Sequence, residues 1–208
     1  MVTPTRVRDT RGPEFEGTRP IAGVWSWLML VGGTLGVVSG VWQTVERIAF
    51  AKGGNKGALC EINAVLSCNS VFNHWQSSAL GIPNSMISIP VFAALAFAGL
   101  SLLMGSQLSR SYLATLFGMT VFMAAFLTWY MEQSAFAIGV LCIYCTVCAA
   151  SLITVGIGLT RVVDANQALG TGRAGRQLRL LVEARADVII WLGLAALIAV
   201  LLYLGLAL

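Results

Sequence analysis

The sequence predicts an all-α integral membrane protein, on the basis of its composition and of the way its apolar residues are distributed. Hydrophobic residues make up 57% of the 208 residues and charged residues 11%, with a mean hydropathy of +0.81. Soluble domains carry about 25% charged residues, so this chain has too few charges to cover a water-facing surface of its size. Its apolar residues fall into five long runs, and a helix needs roughly 20 such residues to cross the hydrocarbon core.

The predicted spans follow one another with polar breaks between them. A polar tail of residues 1–20, expected to be disordered, precedes the first span. The five spans are predicted over residues 21–45, 86–104, 112–131, 135–159 and 188–206. The breaks are a loop over 46–85, turns at 105–107 and 132–134, and a basic loop over 161–187, which leaves 188–208 as the fifth span and C-terminus.

Two features of the first spans bear on helix packing. Gly32, Gly36 and Gly40 recur every four residues along the first span. Small residues at this spacing let helices approach closely in a membrane, so we expect a packing face here. Pro90 lies early in the second span and is expected either to kink that helix or to mark its first turn.

The basic residues predict the orientation in the membrane. Of the 13 Lys and Arg residues, ten fall in the tail, the turn near Arg110 and the 161–187 loop, and three fall in the 46–85 loop. The more basic side of a membrane protein faces the cytoplasm. We therefore expect the N-terminus in the cytoplasm, the C-terminus outside, and the 46–85 loop and the 132–142 turn on the outer face of a cytoplasmic (inner) membrane. Because the charge is spread over tails and loops, we expect no nucleic-acid partner.

Four of the five cysteines fall on this predicted outer, oxidising face. Cys60 and Cys68 lie in the outer loop, and Cys142 and Cys145 form a Cys-Ile-Tyr-Cys motif at the start of the fourth helix. At a helix N-terminus the first cysteine meets the positive end of the helix dipole, which stabilises a thiolate. We expect Cys142 to be the exposed sulfur and Cys145 to lie one turn deeper, near the lipid.

Two interpretations of these cysteines remain open at this point. Both pairs are structural disulfides, or the two pairs form a relay in which a thiolate of one attacks the disulfide of the other. Cys148 lies one turn further into the helix and is expected to be a small buried apolar residue. A metal cluster is not expected, because a cluster needs a fourth thiolate and a loop to surround it.

The motifs, taken in order, resemble the vitamin K epoxide reductase (VKOR) family. The residues that carry the resemblance are CEINAVLSCNSVF at 60–72, GIPNS at 81–85 and LCIYC at 141–145, and the similarity extends over roughly 20–160. The resemblance implies a four-helix catalytic domain over 21–160 around a quinone, with a fifth helix as in bacterial members. It also implies a separate thioredoxin-fold (DsbA-like) partner, since no thioredoxin domain is fused here, and points to the actinobacterial type.

The resemblance assigns a role to each cysteine. Cys60 would exchange with the dithiol of the partner, and Cys68 would then attack Cys142 to form a mixed disulfide. Cys145 would be released as a thiolate beside a membrane quinone and reduce it. The implied activity is that of a thiol:quinone oxidoreductase that supports disulfide formation in secreted proteins. Menaquinone is the expected quinone for an actinobacterial source.

Three further residues are candidates for the quinone site. Asn84 matches a family asparagine that donates to a quinone carbonyl, or alternatively it caps the second helix. Phe72 lies in the segment 69–80, whose apolar spacing predicts a short amphipathic helix that caps the pocket or simply anchors the loop. His74 occupies a position where many members have serine, and its near-neutral titration makes it either a proton donor or an interfacial histidine.

One difference from the family pattern bears on which reaction is expected. Animal members have a tyrosine four residues after the second cysteine of the motif, and Ala149 occupies that position here. This puts vitamin K epoxide chemistry in doubt without affecting quinone reduction. The alternatives to the thiol oxidase are therefore a vitamin K epoxide or quinone reductase proper, and a non-enzymatic membrane scaffold with structural disulfides.

Overall fold

The structure, a computed structural model, describes residues 23–53 and 65–207. Within these ranges the regular structure is helical apart from one bridge between Leu66 and Leu141. The α-helices are α1 (Val24–Ala51), α2 (Cys68–Phe72), α3 (Asn84–Leu103), α4 (Arg110–Gln133), α5 (Ile143–Ala165), α6 (Arg173–Glu183) and α7 (Ala186–Ala207). A 3-10 helix covers Trp75–Ser78, and a π-helix over Ser134–Ile138 continues α4.

Five of these helices are long and apolar enough to cross a membrane. They are α1, α3, α4 with its π-helical extension, α5 and α7, and each has 20 or more residues. The prediction of an all-α, multi-pass membrane protein is therefore confirmed. Each predicted span has its helix, with bounds that differ by up to eight residues. The largest difference is at the start of the fourth span, predicted from 135, because 135–138 belong to the π-helix that continues α4 and α5 begins only at Ile143.

The first helix is the central element of the bundle, because it packs against both α3 and α5. A side chain at Gly36 would strike the ring of Phe92 on α3, and one at Gly32 would strike Val155 on α5. The glycine stripe is thus the packing face that the sequence predicts, and it lets α1 approach both neighbours closely. Pro90 lies inside α3.

The buried apolar residues form two clusters. The larger one fills the bundle between α1, α3, α4 and α5 and includes Met29, Leu95 and Leu159. The smaller one lies at one end of the bundle, where α2 meets α4 and α5, and it contains Cys68, Cys142 and Cys145. These three cysteines are thus part of a packed apolar cluster rather than of a solvated loop.

The turn predicted at 132–134 is wrong, because the chain there stays helical. The α4 helix runs to Gln133 and continues as the π-helix to Ile138, and the chain reverses only at Gly139, whose φ is 74°. Ser134 is buried and its hydroxyl donates to the Val140 carbonyl at 2.5 Å. A polar residue that satisfies its hydrogen bond inside the fold does not need to mark a turn.

The segment expected to be a basic loop over 161–187 is largely helical. The α5 helix extends to Ala165, and α6 occupies Arg173–Glu183. The guanidinium of Arg161, on α5, forms a bidentate ion pair with Asp187 at the start of α7, with N–O distances of 2.6 and 2.8 Å. This pair joins α7 to α5 and gives buried Asp187 its partner.

Candidate redox site

A single backbone bridge brings the loop cysteine to the helix motif. The Ser67 N–H donates to the Leu141 carbonyl at 3.2 Å, and the Leu141 N–H donates to the Val65 carbonyl at 2.7 Å. The Ser67 hydroxyl then accepts from the Ser70 N–H, so that α2 begins directly at Cys68. The bridge therefore holds the start of α2 beside the start of α5.

The bridge places two sulfur atoms in contact. Cys68 Sγ lies 2.9 Å from Cys142 Sγ, and both residues are buried. Cys68 is disulfide-bonded, whereas Cys142, Cys145 and Cys148 are free thiols. A free sulfur beside a disulfide sulfur is the arrangement that thiol–disulfide exchange requires. Cys60, the other cysteine predicted in the loop, lies outside the described residues.

The expected exposure of Cys142 is wrong. Cys142 is the N-cap residue of α5, as a cysteine at the start of the helix should be, but its side chain is only 1% exposed. The segment from Leu66 to Phe72 covers it, because the bridge to Leu141 draws that segment over the helix end. Cys145 lies one turn further along α5 and lines the cleft described below.

Gln43 on α1 contacts both sulfurs of the motif. Its Nε2 lies 3.3 Å from Cys145 Sγ and 3.8 Å from Cys142 Sγ, and the residue is buried. Sequence analysis missed this residue. The available signal was an amide within an apolar span, which requires a partner inside the bundle.

Glu46, one turn after Gln43, fastens α1 to the motif. Its Oε1 accepts from the Tyr144 hydroxyl at 2.9 Å and from the Trp42 indole N–H at 3.3 Å. On the preceding turn the Ser39 hydroxyl donates to the Tyr144 carbonyl at 2.9 Å. The tyrosine of Cys-Ile-Tyr-Cys is thus held at both its backbone and its side chain by α1.

A largely apolar cleft opens beside Cys145. Most of its lining comes from aliphatic and aromatic side chains of α3, α4 and α5, such as Val91 and Phe126. The polar side chains that line it are Gln43, Arg47, Ser77, Asn84, Ser85, Ser88 and the phenol of Tyr130. Apolar walls with a few polar groups are typical of a site for a hydrophobic ligand that carries oxygen atoms.

Asn84 borders this cleft with unused hydrogen-bonding capacity. Its Nδ2 donates to the Gln76 carbonyl at 2.8 Å, which leaves one amide hydrogen. Its Oδ1 is buried and has no hydrogen-bond partner among the described residues. The alternative role as a helix cap is wrong, because Asn84 is itself the first residue of α3 and Pro83 stands at the N-cap position without a side-chain cap.

Arg47 fixes the segment predicted as a capping helix. That segment is divided into α2 and the 3-10 helix rather than forming one amphipathic helix. The Arg47 guanidinium donates to the Ser77 carbonyl and hydroxyl at 3.2 and 3.0 Å, and to the Ser78 hydroxyl at 2.8 Å. It also lies over the Phe72 ring, 5.7 Å from its centre. Ser77 and Leu80 of this segment line the cleft.

The remaining candidates lie at different distances from the cleft. Phe72 is buried next to Arg47 but is not among the lining residues, and His74 is exposed and also not among them. Cys148 is half-buried and does line the cleft. Tyr130, which sequence analysis missed, contributes a phenol from α4 beside Cys145, whereas Ala149 is buried in the neighbouring cluster.

The acidic and thiol groups do not form a metal site in the part of the chain that is described. No group of three or more His, Cys, Asp or Glu side chains converges there in a way that could hold a metal ion.

Comparison with known protein families gives a match. The sequence model described as the Vitamin K epoxide reductase family matches residues 27–159, which extend from α1 to α5 and include all five cysteines. No curated protein sequence matches the chain.

Proposed function

The chain belongs to the vitamin K epoxide reductase family, and we propose that it is a membrane thiol:quinone oxidoreductase that reoxidises a separate thioredoxin-fold protein. Family membership supports the broader class, a membrane oxidoreductase acting on thiols, disulfides and quinones. One observation carries the specific proposal. The Cys68 sulfur touches that of Cys142, and Cys145 of the same motif lines the cleft. These three cysteines are then sufficient to carry electrons from the loop to a quinone bound in the cleft.

The proposed relay begins with the partner. Its dithiol reduces the disulfide between Cys60 and Cys68 and becomes oxidised. The Cys68 thiolate then attacks Cys142, so that the Cys68–Cys142 bond forms, the Cys142–Cys145 bond breaks, and the electron pair remains on the Cys145 sulfur. Attack by Cys60 on Cys68 restores the loop disulfide and leaves Cys142 and Cys145 reduced.

The last step returns the motif to its disulfide. Two electrons and two protons leave Cys142 and Cys145 for the quinone, which becomes the quinol, and the Cys142–Cys145 bond forms again. The net reaction converts a partner dithiol and a quinone into a partner disulfide and a quinol.

The residues of the cleft fit a quinone as the oxidising substrate. Apolar walls suit the ring and its isoprenoid chain, and the hydrogen-bond donors in the lining suit the ring oxygens. Asn84 has both a free amide hydrogen for a carbonyl and a buried, unpartnered oxygen that would accept from a quinol hydroxyl. Menaquinone is the proposed quinone, in line with an actinobacterial type of family member.

We also propose the orientation that the basic residues indicate. The N-terminus and α6 face the cytoplasm, and the cysteines face the outside of a cytoplasmic membrane. The support is the excess of Lys and Arg at one end of the spans. This places the relay in an oxidising compartment, where a DsbA-like partner and secreted proteins meet it.

A reconstituted assay tests the proposed function. Purified protein in detergent receives a reduced DsbA-like protein and menaquinone, and quinone absorbance is followed. We expect the wild type to reduce the quinone, Cys145→Ala to stop it, and Cys60→Ala to stop it with the protein partner but not with a small dithiol. If neither substitution changes the rate, the cysteines are structural and the scaffold alternative is correct.

Vitamin K epoxide reduction remains the second candidate because of Tyr130. Its phenol lines the cleft beside Cys145, although it comes from α4 and not from position 149. A phenol in this place can donate to an epoxide oxygen as the ring opens. Turnover of the epoxide with a dithiol, lost in Tyr130→Phe, would favour this activity; no turnover would leave quinone reduction alone.

A further inference from the structure

We propose that Gln43 is a catalytic residue of the thiol pair, whose side-chain amide donates a hydrogen bond to the Cys145 thiolate when the Cys142–Cys145 disulfide opens. This inference rests on the proposed function, because it concerns the same redox pair. It gives a direct role at the sulfur to α1, which also supplies Arg47 to the lining of the cleft.

The geometry around Gln43 places the donor where charge develops. Its Nε2 is 3.3 Å from Cys145 Sγ and 3.8 Å from Cys142 Sγ, so the closer contact is to the sulfur that leaves as the thiolate. Gln43 is 8% exposed and Cys145 is 7% exposed. In such a dry setting a hydrogen bond to an anion is stronger than in water, because no solvent competes for either group.

The segment of α1 that carries Gln43 is held against the motif on both sides of that residue. One turn before it, Ser39 bonds to the Tyr144 carbonyl, and one turn after it, Glu46 bonds to the Tyr144 hydroxyl. Both contacts lie on the residue immediately before Cys145. The backbone that carries the amide is therefore held beside the motif by two flanking contacts, which limits the reorganisation needed when the thiolate forms.

A donor at Cys145 has a defined effect on the chemistry. When Cys68 attacks Cys142, the electron pair of the broken sulfur–sulfur bond goes to the Cys145 sulfur, and the amide stabilises that charge. Stabilising the reduced form makes the pair a stronger oxidant. Gln43 thus favours electron transfer from the loop cysteines into the motif.

The first test measures the redox equilibrium of the pair without quinone or partner. Cysteines 60 and 68 are replaced by serine and Cys148 by alanine in otherwise full-length protein, so that only Cys142 and Cys145 titrate against a dithiol buffer. We expect Gln43→Leu to shift the equilibrium about tenfold towards the disulfide, which corresponds to a potential about 30 mV more negative. Gln43→Glu, which brings a negative charge to the thiolate, should shift it further in the same direction.

The control for this test is the neighbouring residue. Thr44→Val removes hydrogen bonds to the Gly40 carbonyl and the Ser85 hydroxyl without touching a sulfur, and it should leave the equilibrium within twofold. If Gln43→Leu does not fold, Gln43→Met offers an unbranched side chain of similar length that cannot donate. A shift within twofold in a folded Gln43 variant would overturn the proposal.

The second test separates this inference from the proposed function. With Cys145 as the only cysteine, its alkylation by iodoacetamide at fixed pH should be about tenfold slower in Gln43→Leu, because less of the sulfur is thiolate. If Gln43→Leu slows alkylation but the wild type does not reduce quinone, the role of Gln43 is supported and the proposed function is rejected. If the wild type reduces quinone but Gln43→Leu is alkylated at the wild-type rate, the proposed function is supported and the role of Gln43 is rejected.

Discussion

The sulfur of Cys68 lies 2.9 Å from the sulfur of Cys142, although 74 positions separate the two residues along the chain. The contact depends on one bridge between Leu66 and Leu141 and on the start of α5 at Ile143. Cys68 thereby packs against the buried start of the membrane helix α5.

We expect Cys68 and Cys142 to form a disulfide readily when their other partners are removed. In a Cys60→Ala, Cys145→Ala double variant, mild oxidation should join them, because the two sulfurs need to move by only about 1 Å to reach bonding distance. Mass spectrometry of proteolysed, unreduced protein would detect the linked peptides. A Cys60→Ala, Cys142→Ala variant, which keeps Cys68 and Cys145, is the control and should link more slowly; equal rates would show that the contact is not selective.

Asn84→Ala should weaken quinone binding. The substitution removes an amide hydrogen and a buried oxygen that have no partner among the described residues, and a lost hydrogen bond of this kind costs about 1 kcal/mol. We expect the KM for quinone to rise about fivefold in steady-state assays. Cross-linking of Cys68 to Cys142 serves as the control for folding and should not change. A lower kcat with an unaltered KM would contradict the binding role.

Gly36→Ala should destabilise the bundle. The added methyl group would overlap the Phe92 ring on α3, and overpacking of this kind costs about 1–3 kcal/mol. The measurement is thermal unfolding in one detergent. Gly118→Ala on α4 is the matched control, because nothing lies within 4 Å of the new methyl group, and it should unfold at the same temperature or slightly above it. Equal effects of the two changes would reject the packing argument.

Asp187→Ala should also lower stability while sparing the chemistry. It leaves Arg161 without its partner, and breaking a buried ion pair costs about 3–5 kcal/mol. Arg161 lies 16 residues after Cys145 on α5, about 24 Å along the helix, so the rate of quinone reduction well below the unfolding temperature should be retained. The Arg161→Leu, Asp187→Leu double variant should recover much of the lost stability; an equally unstable double variant would point to another cause.

The sequence predicts the architecture well because a membrane imposes a simple length rule. Each apolar run that is long enough to span has its helix, and the stripe with Gly36 packs as expected. The end of α4 was missed because Ser134 satisfies its hydroxyl inside the fold, so its polarity did not mark a turn. Polar character alone does not distinguish these two situations.

The candidate site was harder to predict than the fold. The cysteine motif and Asn84 carry their own local signals, and both lie at the cleft or beside it. Gln43, Arg47 and Tyr130 lie on helices whose rotation about their own axes decides which side chains face inward. Their partners are distant in sequence, as with the 102 positions between Gln43 and Cys145, and no local pattern encodes such a pairing.

The hydrogen bonds between α1 and Tyr144 have a consequence for protein engineering. In soluble dithiol proteins the two residues between the cysteines are a natural target for adjusting the redox potential. Here the second of them also carries hydrogen bonds from Ser39 and to Glu46. Substitutions at this position would change the packing of α1 against α5, and this effect on stability would mask their effect on the redox potential. Potential is better tuned from α1, where the side chains reach the sulfurs without belonging to the motif.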